Sequence, residues 1–186
     1  MQALILAAGK GTRLKEMTDN MTKCMVEING ESIIARQIRQ IDNRGLSKIV
    51  IVVGYLSKKL ENYIDGLDFK TPVVFIENND YENTNNIYSL ALAREYLCEE
   101  DTILFESDLI LEDSIIDKVF ENKNENFALL DKYDDSWMDG TCVLLREDNL
   151  IEHFIPKNDL EEDYLDKYYK TVNVYRFSKD FCKNTY

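Results

Sequence analysis

The segment from Leu4 to Leu14, LILAAGKGTRL, joins an apolar run to a loop of small residues that could hold a phosphate group. Gly9 and Gly11 can adopt backbone angles that other residues avoid. Ala7 and Ala8 have such small side chains that a bulky ligand could lie directly against the main chain. Because successive backbone N–H groups in such a loop form a concave site for anions, the segment predicts a triphosphate-binding loop.

Positive charge gathers in and after this loop. Lys10 and Arg13 lie within it, and Lys23 follows further along the chain. The spacing differs from that of better-known phosphate motifs. There is no G-x-x-x-x-G-K-[ST] and no G-x-G-x-x-G that opens a helix, because Thr12 and Arg13 follow Gly11. The pattern therefore supports neither a P-loop ATPase nor a dinucleotide-binding dehydrogenase, and a plain glycine turn is the alternative interpretation.

Two acidic residues follow another apolar run. Glu106 and Asp108, within FESDLIL, come at the end of a strand predicted over Thr102–Phe105. Ligands of open α/β sheets bind beyond the carboxyl ends of the strands, so we expect Asp108 to face the same cleft as the glycine loop. A carboxylate beside a triphosphate is a natural ligand of Mg²⁺. The alternative is that Asp108 caps the helix predicted over Ser114–Phe120.

Amide and hydroxyl side chains are concentrated between residues 78 and 86. Such groups both donate and accept hydrogen bonds, which suits the edge of a nucleobase, and Thr84 and Asn85 are the candidates for this contact. Asparagines are also common in turns and helix caps, which is the alternative here. His153, the only histidine, lies in an apolar strand without an acid–base partner, so no Ser-His-Asp or Cys-His arrangement can be assembled.

A polar stretch late in the chain, DKYDDSWMDG, contains the only tryptophan, Trp137. The ring of Trp137 or of Tyr133 could hold an ammonium group by cation–π attraction, and the carboxylate of Asp139 could pair with that group. Lys157 follows the strand predicted over Ile151–Ile155 and could neutralise a phosphate or phosphonate. A surface or packing role is the alternative for each of these residues.

The composition limits the classes of partner. The chain of 186 residues has 35 acidic and 22 basic side chains and a net charge of −13, which disfavours nucleic acid and anionic membranes. Four widely spaced cysteines form no zinc motif and are interpreted as reduced thiols. No apolar run approaches the roughly 20 residues that span a bilayer, and the N-terminus reads as a core strand. We therefore expect a cytoplasmic protein whose ligands are small molecules.

Strand-like and helix-like segments alternate through the first part of the chain, which predicts an α/β fold with a mostly parallel sheet flanked by helices. The later segments are strand-like with few helices between them, which predicts an antiparallel portion. The predicted strands are Gln2–Leu6, Lys48–Val53, Pro72–Ile76, Thr102–Phe105, Phe127–Leu130, Gly140–Leu145, Ile151–Ile155 and Thr171–Phe177. The predicted helices are Glu31–Ile41, Asn86–Leu97, Ser114–Phe120 and the start of a helix over Ser178–Tyr186.

The segment LILAAGKGTRL, the later Lys23 and FESDLIL together resemble the nucleotidyltransferase family that joins a nucleoside triphosphate to a phosphorylated substrate. The family signature has a Pro-Lys pair where this chain has Thr22-Lys23, so the charge is present and the rigid proline is not. The resemblance implies a Rossmann-like nucleotidyltransferase fold. The segments NNIYSLALA, WMDGTCVLL, FIPK and YYKTVNVYRFS resemble the cytidylyltransferase branch, first the 2-aminoethylphosphonate cytidylyltransferases and next the bacterial phosphocholine cytidylyltransferases.

This resemblance implies a role for each matching residue, with CTP and a small phosphonate or phosphate as substrates and Mg²⁺ as the cofactor. The implied catalytic residues are Lys23, Arg13 and Asp108, of which Asp108 binds the metal. The implied nucleotide-binding residues are Leu6, Ala7, Ala8, Gly9, Gly11, Thr12, Lys23, Thr84, Asn85 and Glu106. The implied acceptor-binding residues are Tyr133, Trp137, Asp139 and Lys157.

The resemblance also bears on the extent of the domain and on rival activities. The family uses a second metal-binding acid beyond the last strand, and only nine residues follow Phe177 here. We therefore expect residues 1–186 to be one nucleotidyltransferase domain that lacks its C-terminal part and belongs to a longer chain, with a fused aminotransferase domain as one arrangement. A sugar-phosphate nucleotidyltransferase that uses UTP, TTP or GTP and a non-catalytic nucleotide-sensing domain are the rival interpretations.

Overall fold

The computed structural model describes residues 1–11 and 18–185. Thr12 and Arg13, which the sequence predicts to contact the nucleotide, lie outside the described residues. The chain forms two compact units, Met1–Phe127 with Tyr175–Tyr186, and Ala128–Val174.

The first unit is built on a parallel sheet. In chain order its strands are β1 (Gln2–Ala7), β2 (Glu27–Ile28), β3 (Glu31–Ser32), β4 (Ile49–Val53), β5 (Val73–Glu77) and β6 (Thr102–Glu106). The parallel strands lie in the order β5-β4-β1-β6, so β1 is hydrogen-bonded to a neighbour on each side. The four predicted strands of this region are confirmed to within one residue at each end. The apolar runs of β1 and β4 are buried on both faces, as is typical of parallel sheets, whereas β5 is half-buried.

The helices of this unit are α1 (Ile33–Ile41), α2 (Ser57–Asp65), α3 (Asn86–Leu92), α4 (Arg94–Glu99), α5 (Asp113–Glu121) and α6 (Lys179–Thr185). α1 begins two residues later than predicted because Glu31 and Ser32 pair with β2 in a short hairpin. Ser32 then caps the helix, since its hydroxyl oxygen accepts a hydrogen bond from the Ala35 N–H at 3.1 Å. The sequence analysis did not predict α2.

The helix predicted over Asn86–Leu97 is two helices, which is a correction. Ala93, with φ −87° and ψ 9°, separates α3 from α4. The Ala93 N–H donates to the Leu90 carbonyl at 3.1 Å, a tight 3₁₀-type bond that ends α3. Ala93 is fully buried, so the break places α4 against the sheet rather than in line with α3.

One face of the parallel sheet carries the apolar core that supports the predicted nucleotide loop. Its members come from the central strands and from the helices that cover them; they are Leu4, Leu6, Ala8, Val50, Val52, Ala93, Leu97, Leu104 and Cys182. Full burial of one leucine or valine side chain stabilises a fold by roughly 1.5–3 kcal/mol. The carboxyl end of β1 is therefore held by the best-packed part of this unit.

The second unit is antiparallel. Its strands are β7 (Phe127–Lys132), β8 (Cys142–Leu145), β9 (Ile151–Ile155) and β10 (Tyr169–Phe177), with the ends of β7 and β10 extending into the first unit's residues. β8 pairs antiparallel with β9 and with β10, and β7 pairs with β10. The antiparallel later portion predicted from the sequence is confirmed. His153 is exposed on β9.

Two further predictions concern the chain as a whole. All four cysteines are free thiols, as predicted. In the described part of the chain, no helix is both long enough and apolar enough to cross a membrane.

Candidate active site

The glycine loop after β1 follows the prediction at Gly11 and departs from it at Gly9. Gly11 has φ +70°, and a Cβ built on it would lie 2.9 Å from the Cβ of Lys23. Gly9 does not have a positive φ, so the expectation of an unusual backbone angle there is wrong. A Cβ on Gly9 would meet no atom within 4 Å. The absence of a side chain at Gly9 therefore leaves open space over the main chain.

The loop offers backbone donors to a ligand. Within residues 1–11 and 18–185, no hydrogen bond uses the N–H of Gly9, Lys10 or Gly11. Gly9 and Lys10 are exposed, whereas the side chains of Leu6, Ala7 and Ala8 are buried. Adjacent unpaired N–H groups attract an anion such as a phosphate.

Tyr55, in the turn between β4 and α2, forms hydrogen bonds with residues before and after the glycine loop. Its N–H donates to the Ala8 carbonyl at 3.0 Å, and its hydroxyl donates to the carbonyls of Thr18 and Asp19 at 3.1 and 2.9 Å. The Lys10 ammonium lies 5.5 Å from the centre of the Tyr55 ring. Gly54 permits this approach, since a Cβ on it would lie 2.8 Å from the Ala8 oxygen. Tyr55 was not predicted from the sequence, in which its position after a buried strand is the only indication of a role.

Lys23 and Asp108 form an ion pair in the first unit. Lys23 opens a 3₁₀ turn over Lys23–Met25, and Asp108 follows the end of β6. The Ser107 N–H donates to the Leu6 carbonyl at 3.2 Å, which holds the residue before Asp108 against the end of β1. The two side chains are 26% and 28% exposed, so both can be reached by a ligand. The structure thus brings together two of the three predicted catalytic side chains.

The alternative role of Asp108 as a helix cap is excluded. The cap residue of α5 is Glu112, four residues after Asp108. The carboxylate of Asp108 is therefore available for another purpose, and its partner is Lys23.

The residues near Asp108 fit a magnesium ion that is held largely by the substrate. Among the described residues, no group of three or more His, Cys, Asp or Glu side chains could hold a metal ion. Mg²⁺ usually keeps several water ligands and binds through one or two carboxylates together with substrate phosphates. The single partly exposed carboxylate of Asp108 matches that donor set.

The predicted base-contacting residues have local partners. The Asn85 side chain caps α3, since its oxygen accepts from the N–H groups of Ile87 and Tyr88 at 3.1 and 3.3 Å. The Thr84 hydroxyl donates to the Asp80 carbonyl at 2.7 Å and accepts from Asn78 at 3.0 Å. These contacts correspond to the turn-and-cap alternative.

Glu106, at the end of β6, also has a partner on α3. Its carboxylate accepts from the Asn86 amide at 2.9 Å. This bond fixes the first turn of α3 against the end of β6. The predicted contact of Glu106 with a nucleotide stays a prediction.

In the second unit, Tyr133 and Trp137 line a surface pocket of about 520 Å³. Trp137 is 71% exposed, which confirms that it is not a core residue. The other lining residues include the carboxylates of Asp131, Asp134, Asp135 and Asp166 and a single cation, Lys132. An aromatic pocket with this excess of negative charge suits a positively charged group.

None of the four pocket carboxylates was predicted from the sequence, and Asp134 is the one that bonds to Trp137. Its side chain accepts from the Trp137 indole N–H at 3.2 Å and from the Ser136 N–H and hydroxyl at 3.0 and 2.6 Å. The Ser136 bonds lower the pKa of Asp134, with a smaller contribution from Trp137, so its negative charge is maintained. The Asp-x-Ser spacing of an Asx turn was the available signal.

Asp139 and Lys157, the other predicted acceptor contacts, form an ion pair of 3.0 Å. Their side chains are 69% and 53% exposed. The hydrogen bond to Asp139 raises the pKa of Lys157. Neither residue lines the pocket of Tyr133 and Trp137. The second unit therefore separates the four predicted acceptor residues into an aromatic pair and an ion pair.

Several known proteins are similar to this chain. Residues 3–147 match the family described as MobA-like NTP transferase domain. The CTP:phosphoglutamine cytidylyltransferase of Campylobacter jejuni is 32% identical over 142 residues, which are 74% of this chain and 54% of that protein. The choline-phosphate cytidylyltransferase of Streptococcus pneumoniae is 39% identical over 112 residues, 58% of this chain and 47% of that protein. The 2-aminoethylphosphonate cytidylyltransferase of Lancefieldella rimae is 34% identical over 114 residues, 61% of this chain and 45% of that protein.

A solved structure of the CTP:phosphocholine cytidylyltransferase from Streptococcus pneumoniae matches the fold with a TM-score of 0.71. The match covers 98% of this chain and 73% of that chain at 22% sequence identity. This likeness confirms the predicted Rossmann-like nucleotidyltransferase fold. The aligned region spans about half the length of the three relatives above.

Proposed function

Because the chain belongs to the MobA-like NTP transferase domain family, we propose that the protein is a cytidylyltransferase that joins CTP to a small acceptor carrying both an anionic phosphorus group and an ammonium group. The observation that carries this proposal is the Lys23–Asp108 pair, which the Ser107 bond to Leu6 ties to the end of the strand that bears the glycine loop. A cation and a carboxylate at the end of a phosphate-binding loop are the groups that nucleotidyl transfer requires.

The proposed reaction is an in-line displacement at the α-phosphorus of CTP. A phosphonate or phosphate oxygen of the acceptor forms the new P–O bond, the bond between the α-phosphorus and its bridging oxygen breaks, and pyrophosphate leaves with that electron pair. Both reactants are anions, so catalysis consists largely of alignment and charge neutralisation. The chain needs no nucleophilic side chain for this chemistry.

Each group of the first unit has a distinct task in this scheme. The N–H groups of Gly9, Lys10 and Gly11 bind the triphosphate, and Lys23 turns from Asp108 to the α-phosphate when the nucleotide enters. Asp108 is the residue that would hold Mg²⁺, and the ion would neutralise the phosphate charge that develops during transfer. Thr12 and Arg13 stay predicted contacts of the same triphosphate.

The pocket of the second unit supports an ammonium-bearing acceptor. The rings of Trp137 and Tyr133 and the ionised carboxylate of Asp134 line it together. A primary ammonium can donate N–H hydrogen bonds to a carboxylate such as that of Asp134. A trimethylated nitrogen has no N–H group to donate. We therefore favour 2-aminoethylphosphonate over phosphocholine as the acceptor, with CMP-2-aminoethylphosphonate as the product.

Phosphocholine is the second candidate acceptor. The relative from Streptococcus pneumoniae, named for choline phosphate, is 39% identical over the aligned residues. The ring of Trp137, which is 71% exposed, can hold a quaternary ammonium by cation–π attraction alone. The two acceptors would then differ chiefly in their hydrogen bonds to carboxylate.

A pyrophosphate-release assay tests the proposal. CTP, UTP, GTP and ATP are each paired with 2-aminoethylphosphonate, phosphocholine and a hexose 1-phosphate in the presence of Mg²⁺, and the nucleotide product is identified by mass spectrometry. We expect turnover with CTP and an ammonium-bearing acceptor. Turnover with a hexose 1-phosphate and another nucleotide would identify a sugar-phosphate nucleotidyltransferase. Tight CTP binding without any turnover would identify a nucleotide-sensing domain.

A further inference from the structure

The segment that carries Asp108 lacks regular secondary structure. Residues 107–112 connect β6 to α5 as a turn followed by extended chain. A side chain on such a segment has a fixed position only if other parts of the protein hold the backbone beside it. The Ser107 N–H bond to Leu6 fixes one point before Asp108, and further bonds come from α1.

Gln37, on α1, bonds to the chain on both sides of Asp108. Its amide nitrogen donates to the Glu106 carbonyl at 2.8 Å and to the Leu109 carbonyl at 3.2 Å. These two acceptors flank Ser107 and Asp108, so one amide group closes the turn that presents the carboxylate. Gln37 is 5% exposed, which keeps water from competing for the two bonds.

The amide oxygen of Gln37 indicates that a glutamine is needed here for the two bonds that its nitrogen donates. Its carbonyl oxygen is buried and has no hydrogen-bond partner among the described residues. A buried polar atom without a partner destabilises a fold, and an apolar side chain of similar length would avoid that cost. Since two carbonyl oxygens face the amide, its nitrogen must point toward them.

Gln40, one turn further along α1, is a matched reference. It is also 5% exposed, and its amide nitrogen also donates two bonds to the segment after β6. Those bonds go to the Leu111 carbonyl at 2.9 Å and to the Asp113 carboxylate at 2.7 Å, beyond Asp108 and at the start of α5. Both glutamines line one small cavity against the sheet.

We infer that Gln37 is a positioning residue: by holding the carbonyls of Glu106 and Leu109, it fixes Asp108 opposite Lys23. Gln40 anchors α5 and does not set the position of Asp108. The geometric part of this inference stands on the bonds alone, and its consequence for catalysis rests on the proposed function.

The first test needs no activity. Gln37→Met and Gln40→Met each replace a buried amide by an apolar side chain of similar length, and hydrogen–deuterium exchange is followed by mass spectrometry. We expect the Ser107 amide, which donates to the Leu6 carbonyl, to exchange about tenfold faster in Gln37→Met. Gln40→Met should instead accelerate the amides of Ile115 and Ile116, which donate to the Glu112 carbonyl at the start of α5. Equal acceleration of Ser107 in both variants, or in neither, would overturn the inference.

The second test measures the consequence for the metal. Replacing a residue that orients a metal ligand typically costs about 10–100-fold in metal affinity or activity. We therefore expect the Mg²⁺ concentration for half-maximal turnover to rise about tenfold in Gln37→Met and to stay within about twofold in Gln40→Met, at similar melting temperatures. Equal Mg²⁺ requirements in the two variants would contradict the positioning role.

The tests remain decisive if Gln37→Met does not fold or if the unmodified protein has no activity. Gln37→Asn keeps an amide that is too short to reach both carbonyls, so it replaces Gln37→Met if that variant does not fold and should shift the same readouts. If the unmodified protein shows no turnover with CTP, the proposed function fails, and the exchange measurement still decides whether Gln37 holds the Asp108 turn.

Discussion

Each unit of the molecule presents a lysine–aspartate pair, and the two pairs differ in what supports them. Lys23 and Asp108 are 26% and 28% exposed, and the backbone beside Asp108 is bonded to β1 and to α1. Lys157 is 53% exposed and lies on a 3₁₀ turn. Asp139 is 69% exposed and lies in the chain before β8. Asp108 of the first pair follows the end of a buried strand, whereas both members of the second pair are largely exposed.

This difference indicates a division of labour under the proposed function. Charge neutralisation in a transferase requires well-positioned groups, and in the first unit the turn that carries Asp108 is bonded to β1 and to α1. Recognition of a small acceptor tolerates more exposed contacts, which the second unit provides around Trp137. Four measurements test this contrast.

The largest effect is expected at the first pair. Lys23→Met and Asp108→Asn each remove one charge that acts during transfer, and loss of one such group commonly lowers kcat about 10²–10³-fold. Pyrophosphate release with CTP measures the loss, and circular dichroism checks the fold. Lys58→Met, which breaks an exposed pair with Glu61 on α2, is the control and should retain normal turnover. Near-normal turnover of either Lys23→Met or Asp108→Asn would contradict the assignment.

A smaller effect is expected from Cys24, the buried residue next to Lys23. Burial raises the pKa of the Cys24 thiol from 9.0 to about 11, although its hydrogen bond with Thr22 acts in the opposite direction. The pKa of the thiol is higher in the folded state than in the unfolded state. Its contribution to the free energy of unfolding is therefore fully present below pH 9 and is lost as the pH rises toward about 11.

We therefore expect the free energy of unfolding to fall by roughly 1–2 kcal/mol more between pH 8 and pH 10.5 in the unmodified protein than in Cys24→Ser. Urea unfolding at both pH values measures this difference. Cys98→Ser removes a thiol from a half-buried position and serves as the control. The same pH dependence in the unmodified protein, Cys24→Ser and Cys98→Ser would show that burial of the Cys24 thiol has no effect on stability.

The third effect concerns the aromatic pocket. Cation–π attraction contributes about 0.5–2 kcal/mol, so Trp137→Ala should raise the KM for an ammonium-bearing acceptor roughly 2- to 30-fold and leave the KM for CTP unchanged. Steady-state kinetics with each substrate varied in turn separate the two constants. Tyr164→Ala removes another exposed ring of the second unit and should change neither constant. An increase in the KM for CTP would show that the pocket does not serve the acceptor alone.

The smallest effect is expected at the second pair. Asp139→Asn removes the bond that raises the pKa of Lys157, so this pKa returns toward its ordinary value. In the unmodified protein the bond contributes below the ordinary pKa of lysine and is lost at more alkaline pH, whereas the variant lacks this contribution at every pH. Exposed ion pairs contribute little to stability, so the melting temperature at pH 7 should not change and the acceptor KM should stay within about threefold. A loss of turnover as complete as that of Asp108→Asn would make the two pairs equivalent.

The sequence predicted what depends on local patterns. The apolar runs predicted all four parallel strands, and the run of charges and glycines indicated the loop, Lys23 and Asp108. Where several roles compete for one residue type, the prediction was weaker: Asn85 caps a helix, and Gly9 has an ordinary backbone. Contacts between distant residues were not predictable, because nothing local to Gln37 indicates that its amide reaches Glu106 and Leu109.

The position of β1 has a consequence for how the protein folds. Leu4 pairs with Val50 on one side and with Leu104 on the other, so the central strand completes its hydrogen bonds only when a segment far along the chain has been synthesised. Until then, an apolar strand with an unpaired edge is exposed to other chains. Distant pairing of this kind slows folding and favours aggregation of intermediates. Recovery of native protein should therefore improve when the protein is produced at low temperature, because exposed apolar surfaces associate more weakly in the cold.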